Sequence, residues 1–155
     1  MSVEIDQPVP TDIRIPATGD QTLGLGEFAG KRVVLYFYPK DATPGCTNES
    51  RDFAAQSAGF EAANAVILGV SRDSLSSHER FRAREGLPFD LLSDADETLC
   101  NAFDVIKMKN MYGKQVRGIE RSTFLIDEQG MLRREWRKVK VPGHVAEVLA
   151  AVRVL

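Results

Sequence analysis

The chain has 155 residues, of which 27% are charged, and a formal net charge of −2 at pH 7. This length and an ordinary apolar content suit one domain over residues 1–155. The near-neutral balance of charges argues against nucleic-acid binding, and no apolar run approaches the ~20 residues of a membrane span. The first ten residues lack the blocks of a signal peptide and two cysteines agree with a reducing compartment, so we expect a cytoplasmic protein.

The first half of the chain predicts a hairpin followed by a βαβ unit. Residues 8–30 contain three prolines and several glycines, which indicate short edge strands and turns, and we expect an N-terminal hairpin there. Residues 32–38 and 65–70 are almost continuously apolar, as is typical of parallel strands that are covered on both faces. A helix over about residues 44–63 lies between them, which gives a right-handed βαβ unit.

The second half predicts further helices and a late hairpin. We expect helices at about residues 75–84, 95–103 and 142–153, and strands at 89–92, 121–126 and 131–139. Residues 105–118 show no clear period and predict a long loop, which is often functional in proteins. This order of elements predicts an α/β thioredoxin-like fold, in which helices flank a central mixed sheet.

The start of the first long helix carries a cysteine. Thr43 is a good N-cap, Pro44 suits the first helical position, and Cys46 then falls in the first turn, where unpaired amides stabilise a thiolate. Complete ionisation raises the reactivity of an ordinary thiol by only about 30-fold, so enzyme rates also need donors aimed at the substrate. Candidates are Thr43 Oγ, the backbone N–H groups near Gly45 and Cys46, and a cationic side chain. The alternative is an ordinary cap followed by a buried, unreactive cysteine.

The helical spacing places this cysteine toward the protein interior. Cys46, Phe53 and Phe60 recur every seven residues and lie on nearly one face, which must pack on the sheet. We therefore expect the thiol to point inward at the mouth of a pocket.

The pattern Pro39-x-x-x-Thr43-x-x-Cys46, set between an aromatic-rich strand and a helix, resembles the active-site motif of the peroxiredoxins. Three further segments are similar to the bacterioferritin-comigratory, or PrxQ, branch of that family: V-S-R-D-S at 70–74, L-S-D-A-D at 92–96 and G-I-E-R-S-T-F-L-I-D at 118–127. Together these segments cover most of the chain from about residue 8 onward, and the ordered set is far more specific than a lone Thr-x-x-Cys.

The resemblance implies a thiol-dependent peroxidase that reduces hydrogen peroxide and organic hydroperoxides without a metal or other cofactor. In that scheme Cys46 is oxidised to a sulfenic acid, Thr43 holds the peroxide, Pro39 and Gly45 line the substrate site, and Arg121 is the cation near the thiolate. The alternative for Arg121 is a solvated strand end. The implied partners are the peroxide and a thiol reductant, which is thioredoxin, glutaredoxin or a low-molecular-weight thiol, and the implied state is a monomer.

The second cysteine decides how the sulfenic acid is resolved. Members of this branch place a resolving cysteine five residues after the nucleophile, where this chain has Arg51, or in the following helix, where residues 81–83 contain none. Cys100 remains, on one helical face with Leu99 and Phe103, and we favour a buried structural role for it. We therefore expect a single-cysteine cycle with an external thiol, and keep resolution by Cys100 as the alternative.

Two other classes of protein share this fold. A thiol–disulfide oxidoreductase normally has Cys-x-x-Cys at the helix start, whereas here residue 49 is Glu49, and an unreactive Cys46 would favour a non-enzymatic interaction domain. A metal site is not expected, because His78 and His144 have no cysteine or histidine at ligand spacing, and both are expected to face solvent.

Charge is unevenly distributed along the chain. Residues 1–100 carry −7 and residues 101–155 carry +5. In the basic part, residues 133–138 place a tryptophan among cations. We favour a solvated hairpin as the interpretation of this segment. A docking patch for an acidic reductant protein is the second interpretation, and nucleic-acid binding is a distant third.

Overall fold

The computed structural model describes residues 3–155 and contains nine strands. They are β1 (Arg14–Ala17), β2 (Gln21–Gly24), β3 (Arg32–Phe37), β4 (Ala65–Ser71), β5 (Asp90–Ser93), β6 (Ile106–Met111), β7 (Lys114–Ile119), β8 (Ser122–Ile126) and β9 (Leu132–Arg137). Seven of them form one mixed sheet in the order β2-β1-β5-β4-β3-β8-β9, and β6 and β7 form a separate two-stranded sheet.

Five α-helices connect and cover these strands. They are α1 (Pro44–Ala55), α2 (Ser57–Ala62), α3 (Leu75–Glu85), α4 (Thr98–Ala102) and α5 (His144–Arg153), and a 3₁₀ turn spans Leu25–Phe28. Across residues 3–155, no helix has both the length and the apolar character needed to cross a membrane. The predicted thioredoxin-like α/β fold, with its central mixed sheet and N-terminal hairpin, is confirmed.

Strand β3 lies between two neighbours and is buried on both faces. It runs parallel to β4 and antiparallel to β8, with Phe37 opposite Ser122. Alternate side chains enter two core clusters, one containing Leu35 and Phe37 and the other containing Tyr36 and Tyr38. This two-sided burial explains the continuous apolar run. The carboxyl end of β3 leads into α1, so the start of that helix lies beyond the carboxyl-terminal end of this central strand.

The helix expected over residues 44–63 is two helices. The first ends at Ala55. Its C-cap residue, Gln56, has φ and ψ of −101° and 8°, and the Gln56 backbone N–H bonds to the carbonyl oxygens of Asp52 and Phe53. After this break, Gly59 lies so close to α5 that a Cβ there would be 3.1 Å from Leu149 Cδ2. The change of direction at Gln56 therefore allows α2 to pack closely against α5.

The prediction of a long loop over residues 105–118 is wrong, because this segment forms the β6–β7 hairpin. Its ladder runs from Ile106 opposite Ile119 to Met111 opposite Lys114. The two-residue turn has φ of 51° at Tyr112 and 81° at Gly113, the positive values that a tight hairpin turn requires. The other predicted elements are present, with ends shifted by a few residues.

Candidate active site

The cysteine of interest lies in the first turn of α1. Thr43 has extended backbone angles (φ −82°, ψ 152°) at the N-cap position, and the helix begins at Pro44 as predicted. Cys46 is the third helical residue. Backbone N–H groups at this position have no acceptor within the helix, so they point toward whatever lies beside the thiol.

Cys46 is buried on the sheet-facing side of α1. It packs in one apolar cluster with Phe53 and Phe60, which confirms the predicted face. Its exposed fraction is only 1%. The sequence predicted a thiol at the mouth of a pocket, whereas the sulfur lies beneath the surface, in a cluster with Tyr36 and Tyr38.

A cation contacts the sulfur directly. Arg121 Nη2 donates to Cys46 Sγ at 3.2 Å, and Gly45 makes room for it, since a Cβ at Gly45 would be 3.2 Å from Nη2. Arg121 precedes β8, and the antiparallel register places the start of β8 beside the end of β3. Burial acts to lower the pKa of Arg121, but its interactions with Glu49 and Cys46 outweigh that effect and raise the pKa of the guanidinium.

Glu49 is the second partner of this cation, and no pattern in the sequence had indicated it as a site residue. Its Oε1 accepts from Arg121 Nη1 at 2.7 Å, and the side chain is fully buried. Burial raises the pKa of Glu49 to about 7, although Arg121 acts in the opposite direction. Among residues 3–155, no hydrogen-bond partner reaches Glu49 Oε2. Glu49 follows Cys46 by three residues, and this helical spacing was the signal that could have identified it.

The threonine hydroxyl is oriented away from the helix. Thr43 is the N-cap residue as predicted, but its Oγ makes no side-chain cap bond and instead donates to the carbonyl oxygen of Lys40 at 2.8 Å. Because its single hydrogen is used in this way, the oxygen is left as an acceptor. Pro39 lies two residues after β3 and is half-buried, and it begins the turn that carries Thr43.

A second cation reaches this region from the β6–β7 hairpin. Lys109 Nζ donates to the carbonyl oxygen of Ile119, two residues before Arg121. Burial lowers the pKa of Lys109, and the positive charge of Arg121 adds to that effect. The hairpin therefore adds a partly buried amine to the neighbourhood of the thiol, which the loop assignment had concealed.

Cys100 is remote from this site. It is fully buried in the cluster that contains Leu35 and Phe37, on the sheet face opposite the one that holds Cys46. Its backbone N–H donates to Asp94 Oδ2 at 2.7 Å. Burial and the nearby Asp94 carboxylate raise the pKa of the Cys100 thiol far above its usual range. Both cysteines are free thiols.

The expectation that both histidines face solvent is wrong. His78 is fully buried, with Nδ1 at 2.7 Å from Asp41 Oδ2 and Nε2 at 2.9 Å from the carbonyl oxygen of Leu92. His144 is also buried, with Nε2 at 2.8 Å from Thr123 Oγ1, and burial lowers its pKa to about 4. In both cases, hydrogen bonds offset the cost of burying a polar ring.

Known proteins similar to this chain share its length and fold. Residues 5–135 match the AhpC/TSA family. Peroxiredoxin Bcp of Xanthomonas campestris is 55% identical over 150 residues, 96% of this chain and 94% of that protein. Peroxiredoxin Bcp of Bacillus subtilis is 50% identical over 153 residues, 99% of this chain and 97% of that protein. A structure from work on alkyl peroxide reduction by the X. campestris bacterioferritin comigratory protein has a TM-score of 0.92 and 52% identity, and covers 97% of this chain and 98% of that one.

Proposed function

Since the chain belongs to the AhpC/TSA family, as a peroxiredoxin of the bacterioferritin comigratory branch, it is a thiol-dependent peroxidase, and we propose that Cys46 is the residue that reacts with the peroxide. The observation that carries this proposal is the 3.2 Å contact between Arg121 Nη2 and Cys46 Sγ in the first turn of a helix. An inert cysteine in a core is not normally contacted by a guanidinium, because burying that charge without a function is costly.

The reaction has two stages. The Cys46 thiolate attacks the terminal oxygen of the hydroperoxide, so that an S–O bond forms as the O–O bond breaks. Sulfur is oxidised to a sulfenic acid that keeps the hydrogen of the attacked oxygen. The departing oxygen takes up a proton from solvent, equivalent to the one that the thiol released on ionising, and leaves as an alcohol or water. An external thiol then attacks the sulfenic sulfur and releases water, and a second thiol displaces Cys46 and leaves with the first as a disulfide.

Each neighbour of Cys46 has a proposed role in the first stage. Arg121 stabilises the thiolate and the charge that develops on the departing oxygen. Thr43 Oγ accepts a hydrogen bond from the hydroperoxide O–H, since its own hydrogen already bonds to Lys40. Pro39 and the backbone at Gly45 line the substrate site. Local opening of the first turn of α1 admits the peroxide, because the sulfur is buried.

Glu49 is proposed as the residue that orients Arg121. With Nη1 held by the carboxyl at 2.7 Å, Nη2 of the same planar group is aimed at the sulfur. A carboxyl with a pKa of about 7 is protonated in an appreciable fraction of molecules at neutral pH. The guanidinium charge then serves the thiolate rather than being neutralised by Glu49.

For the second stage we favour a one-cysteine cycle that uses an external thiol. Cys46 and Cys100 lie on opposite faces of the sheet, and the raised pKa of Cys100 keeps that thiol protonated and weakly nucleophilic. Resolution by Cys100, the alternative cycle, requires α4 to leave the core. We propose thioredoxin, glutaredoxin or a small thiol as the reductant.

The remaining expectations are proposals of the same kind. We propose hydrogen peroxide and organic hydroperoxides as substrates, by analogy with the X. campestris protein that was studied for alkyl peroxide reduction. We further propose a single domain over residues 1–155, acting as a monomer in the cytoplasm. The location is supported by the reduced state that Cys46 needs for reaction.

The experiment that tests this proposal is the intact mass of the reduced protein after one equivalent of hydrogen peroxide, without added thiol. The wild type and Cys100→Ser should gain one oxygen, and Cys46→Ser should gain none and should have no peroxidase activity. Loss of two hydrogens in the wild type would instead show an intramolecular disulfide and the two-cysteine cycle. Undiminished turnover by Cys46→Ser would refute the assignment of Cys46.

A further inference from the structure

The buried ring of His78 faces a hydrogen-bond acceptor on each side. Nε2 lies 2.9 Å from the carbonyl oxygen of Leu92, which can only accept, so Nε2 carries a hydrogen. Nδ1 lies 2.7 Å from Asp41 Oδ2. If Asp41 is a carboxylate, Nδ1 must also carry a hydrogen, and the ring is then an imidazolium.

Three donors to Asp41 indicate that it is a carboxylate. Besides His78, Tyr38 Oη donates to Oδ1 at 2.6 Å and Ser77 Oγ donates to Oδ2 at 2.9 Å. Burial acts to raise the pKa of Asp41, but these hydrogen bonds outweigh it and lower the pKa. The Asp73 carboxylate is also within 4.8 Å of the facing atoms of Asp41 and His78. One imidazolium between these two carboxylates offsets one of their two negative charges.

The same cluster has the composition of a metal site, but its oxygens are already in use. Asp73 Oδ2 accepts from the backbone N–H of Asp41 at 2.9 Å and from Ser71 Oγ at 2.5 Å. The oxygens of Asp41 accept from the three donors already named. The 2.7 Å contact between Asp41 and His78 is a hydrogen-bond distance, shorter than the separation of two ligands around one ion. A hydrogen-bonded ion pair therefore explains the cluster better than a cation site.

This cluster anchors the turn that carries the proposed peroxide-binding groups. Asp41 is held at its side chain by His78 of α3 and at its backbone by Asp73. The next residue, Ala42, has φ of 65°, a left-handed conformation that an alanine adopts at a cost of about 1–2 kcal/mol. Thr43 follows directly. Because a strained backbone persists only where its surroundings enforce it, the fixed position of Asp41 determines where Thr43 and the start of α1 lie.

We propose that the buried His78 imidazolium, paired with Asp41, is a positioning device that holds the strained turn before α1 and so sets the place of Thr43 relative to the Cys46 sulfur. This inference rests on the proposed function of Cys46 and Thr43. His78 touches neither the substrate nor the thiol, and it acts through Asp41. A displacement of about 1 Å in reacting groups costs up to 100-fold in rate, so this indirect role is measurable.

The protonation state is tested first, by nitrogen-15 NMR of the histidine side chains in the wild-type protein at pH 7. The chain has two histidines, and His144, whose pKa is about 4, serves as the neutral internal reference. His78 should show two protonated ring nitrogens, and His144 should show one. A neutral tautomer at His78 would overturn the ion pair, whatever the activity of the protein.

The positioning role is tested with His78→Asn and Asp41→Asn. Each should retain cooperative unfolding and react with hydrogen peroxide about 10- to 100-fold more slowly than the wild type, while Cys46 alkylation by iodoacetamide, which does not use Thr43, is not slowed. Arg80→Gln, which removes an exposed charge from the same helix, should leave both rates unchanged. Peroxide rates within threefold of the wild type, or equal losses in both reactions, would overturn the proposal. Full peroxidase activity in Cys46→Ser would refute the proposed function instead.

Discussion

Arg121→Gln tests the proposed chemistry most directly, because it removes the charge that takes part in two contacts of the site. The guanidinium donates to Cys46 Sγ at 3.2 Å and to Glu49 Oε1 at 2.7 Å. A hydrogen bond to a charged group contributes about 1.5–3 kcal/mol. At 1.36 kcal/mol for each factor of ten, the loss of the contact to sulfur should slow the reaction with peroxide by about 10- to 150-fold.

The stability of Arg121→Gln should depend on pH in a direction that Glu49 determines. An uncompensated buried charge costs about 3–5 kcal/mol, but a carboxyl whose pKa is about 7 avoids much of this cost by binding a proton. Below pH 7, Glu49 is protonated with or without Arg121. Above pH 7, Glu49 ionises readily only in the wild type, where Arg121 stabilises its carboxylate. The destabilisation that Arg121→Gln causes relative to the wild type should therefore be about 1 kcal/mol larger at pH 8 than at pH 6.

The double variant Arg121→Gln/Glu49→Gln separates the two effects. The double variant has no ionisable group at position 49. Its stability relative to the wild type should therefore not fall between pH 6 and pH 8, whereas that of the single variant should. Its reaction with peroxide should remain slow, because nothing replaces the donor to the sulfur. Recovery of the rate in the double variant would mean that Arg121 acts only by neutralising Glu49.

The assay is the second-order rate of Cys46 oxidation by hydrogen peroxide, followed by quenched flow and thiol counting, with urea unfolding at each pH. Arg117→Gln is the matched control. Arg117 is a half-exposed arginine that pairs with Glu97, at 2.5 Å between Nη1 and Oε2, and it makes no contact with the Cys46 sulfur. It should react at the wild-type rate within threefold. A rate for Arg121→Gln that is within threefold of the wild type, or an equal loss in Arg117→Gln, would refute the reasoning.

Substitutions at three further positions test the site and the core. Thr43→Val should slow peroxide oxidation by about tenfold or more in the same assay, because it leaves the substrate O–H unpaired, whereas Thr43→Ser should stay within a few fold of the wild type. Gly69→Ala should destabilise the protein by about 1–3 kcal/mol in urea unfolding, since a Cβ there would lie 2.8 Å from Leu91 Cδ2 and 2.9 Å from the Tyr36 ring. The pKa of Glu49 is raised from 4.5 to about 7 in the folded protein, so the wild type binds an extra proton on folding and loses stability as pH rises through this range. Glu49→Gln should lack this loss, which is on the order of 3 kcal/mol. Parallel stability curves for the two proteins would contradict the raised pKa.

The sequence predicted the strands that are buried on both faces much better than those that are exposed. β3 and β4 were identified because each is a continuous apolar run, which few other structures explain. The β6–β7 hairpin was missed because its residues are mostly exposed and packing imposes no alternation on them. Its turn, Tyr112-Gly113, also lacks the Asn-Gly or Asp-Gly pair that usually signals a hairpin.

The polar residues that the sequence analysis missed share one physical property. Glu49 and His78 are buried, and each is stabilised by a partner far away in the chain: Arg121 is 72 residues from Glu49, and Asp41 is 37 residues from His78. Hydrophobic periodicity assigns polar residues to solvent, because it contains no information about distant partners. At the proposed site around Cys46 that assumption fails for Glu49, as is expected where local rules are broken and compensated elsewhere. An ionisable residue three positions after a buried cysteine on one helix should therefore be treated as a candidate for the site, and the measured pH dependence of Glu49→Gln tests that rule directly.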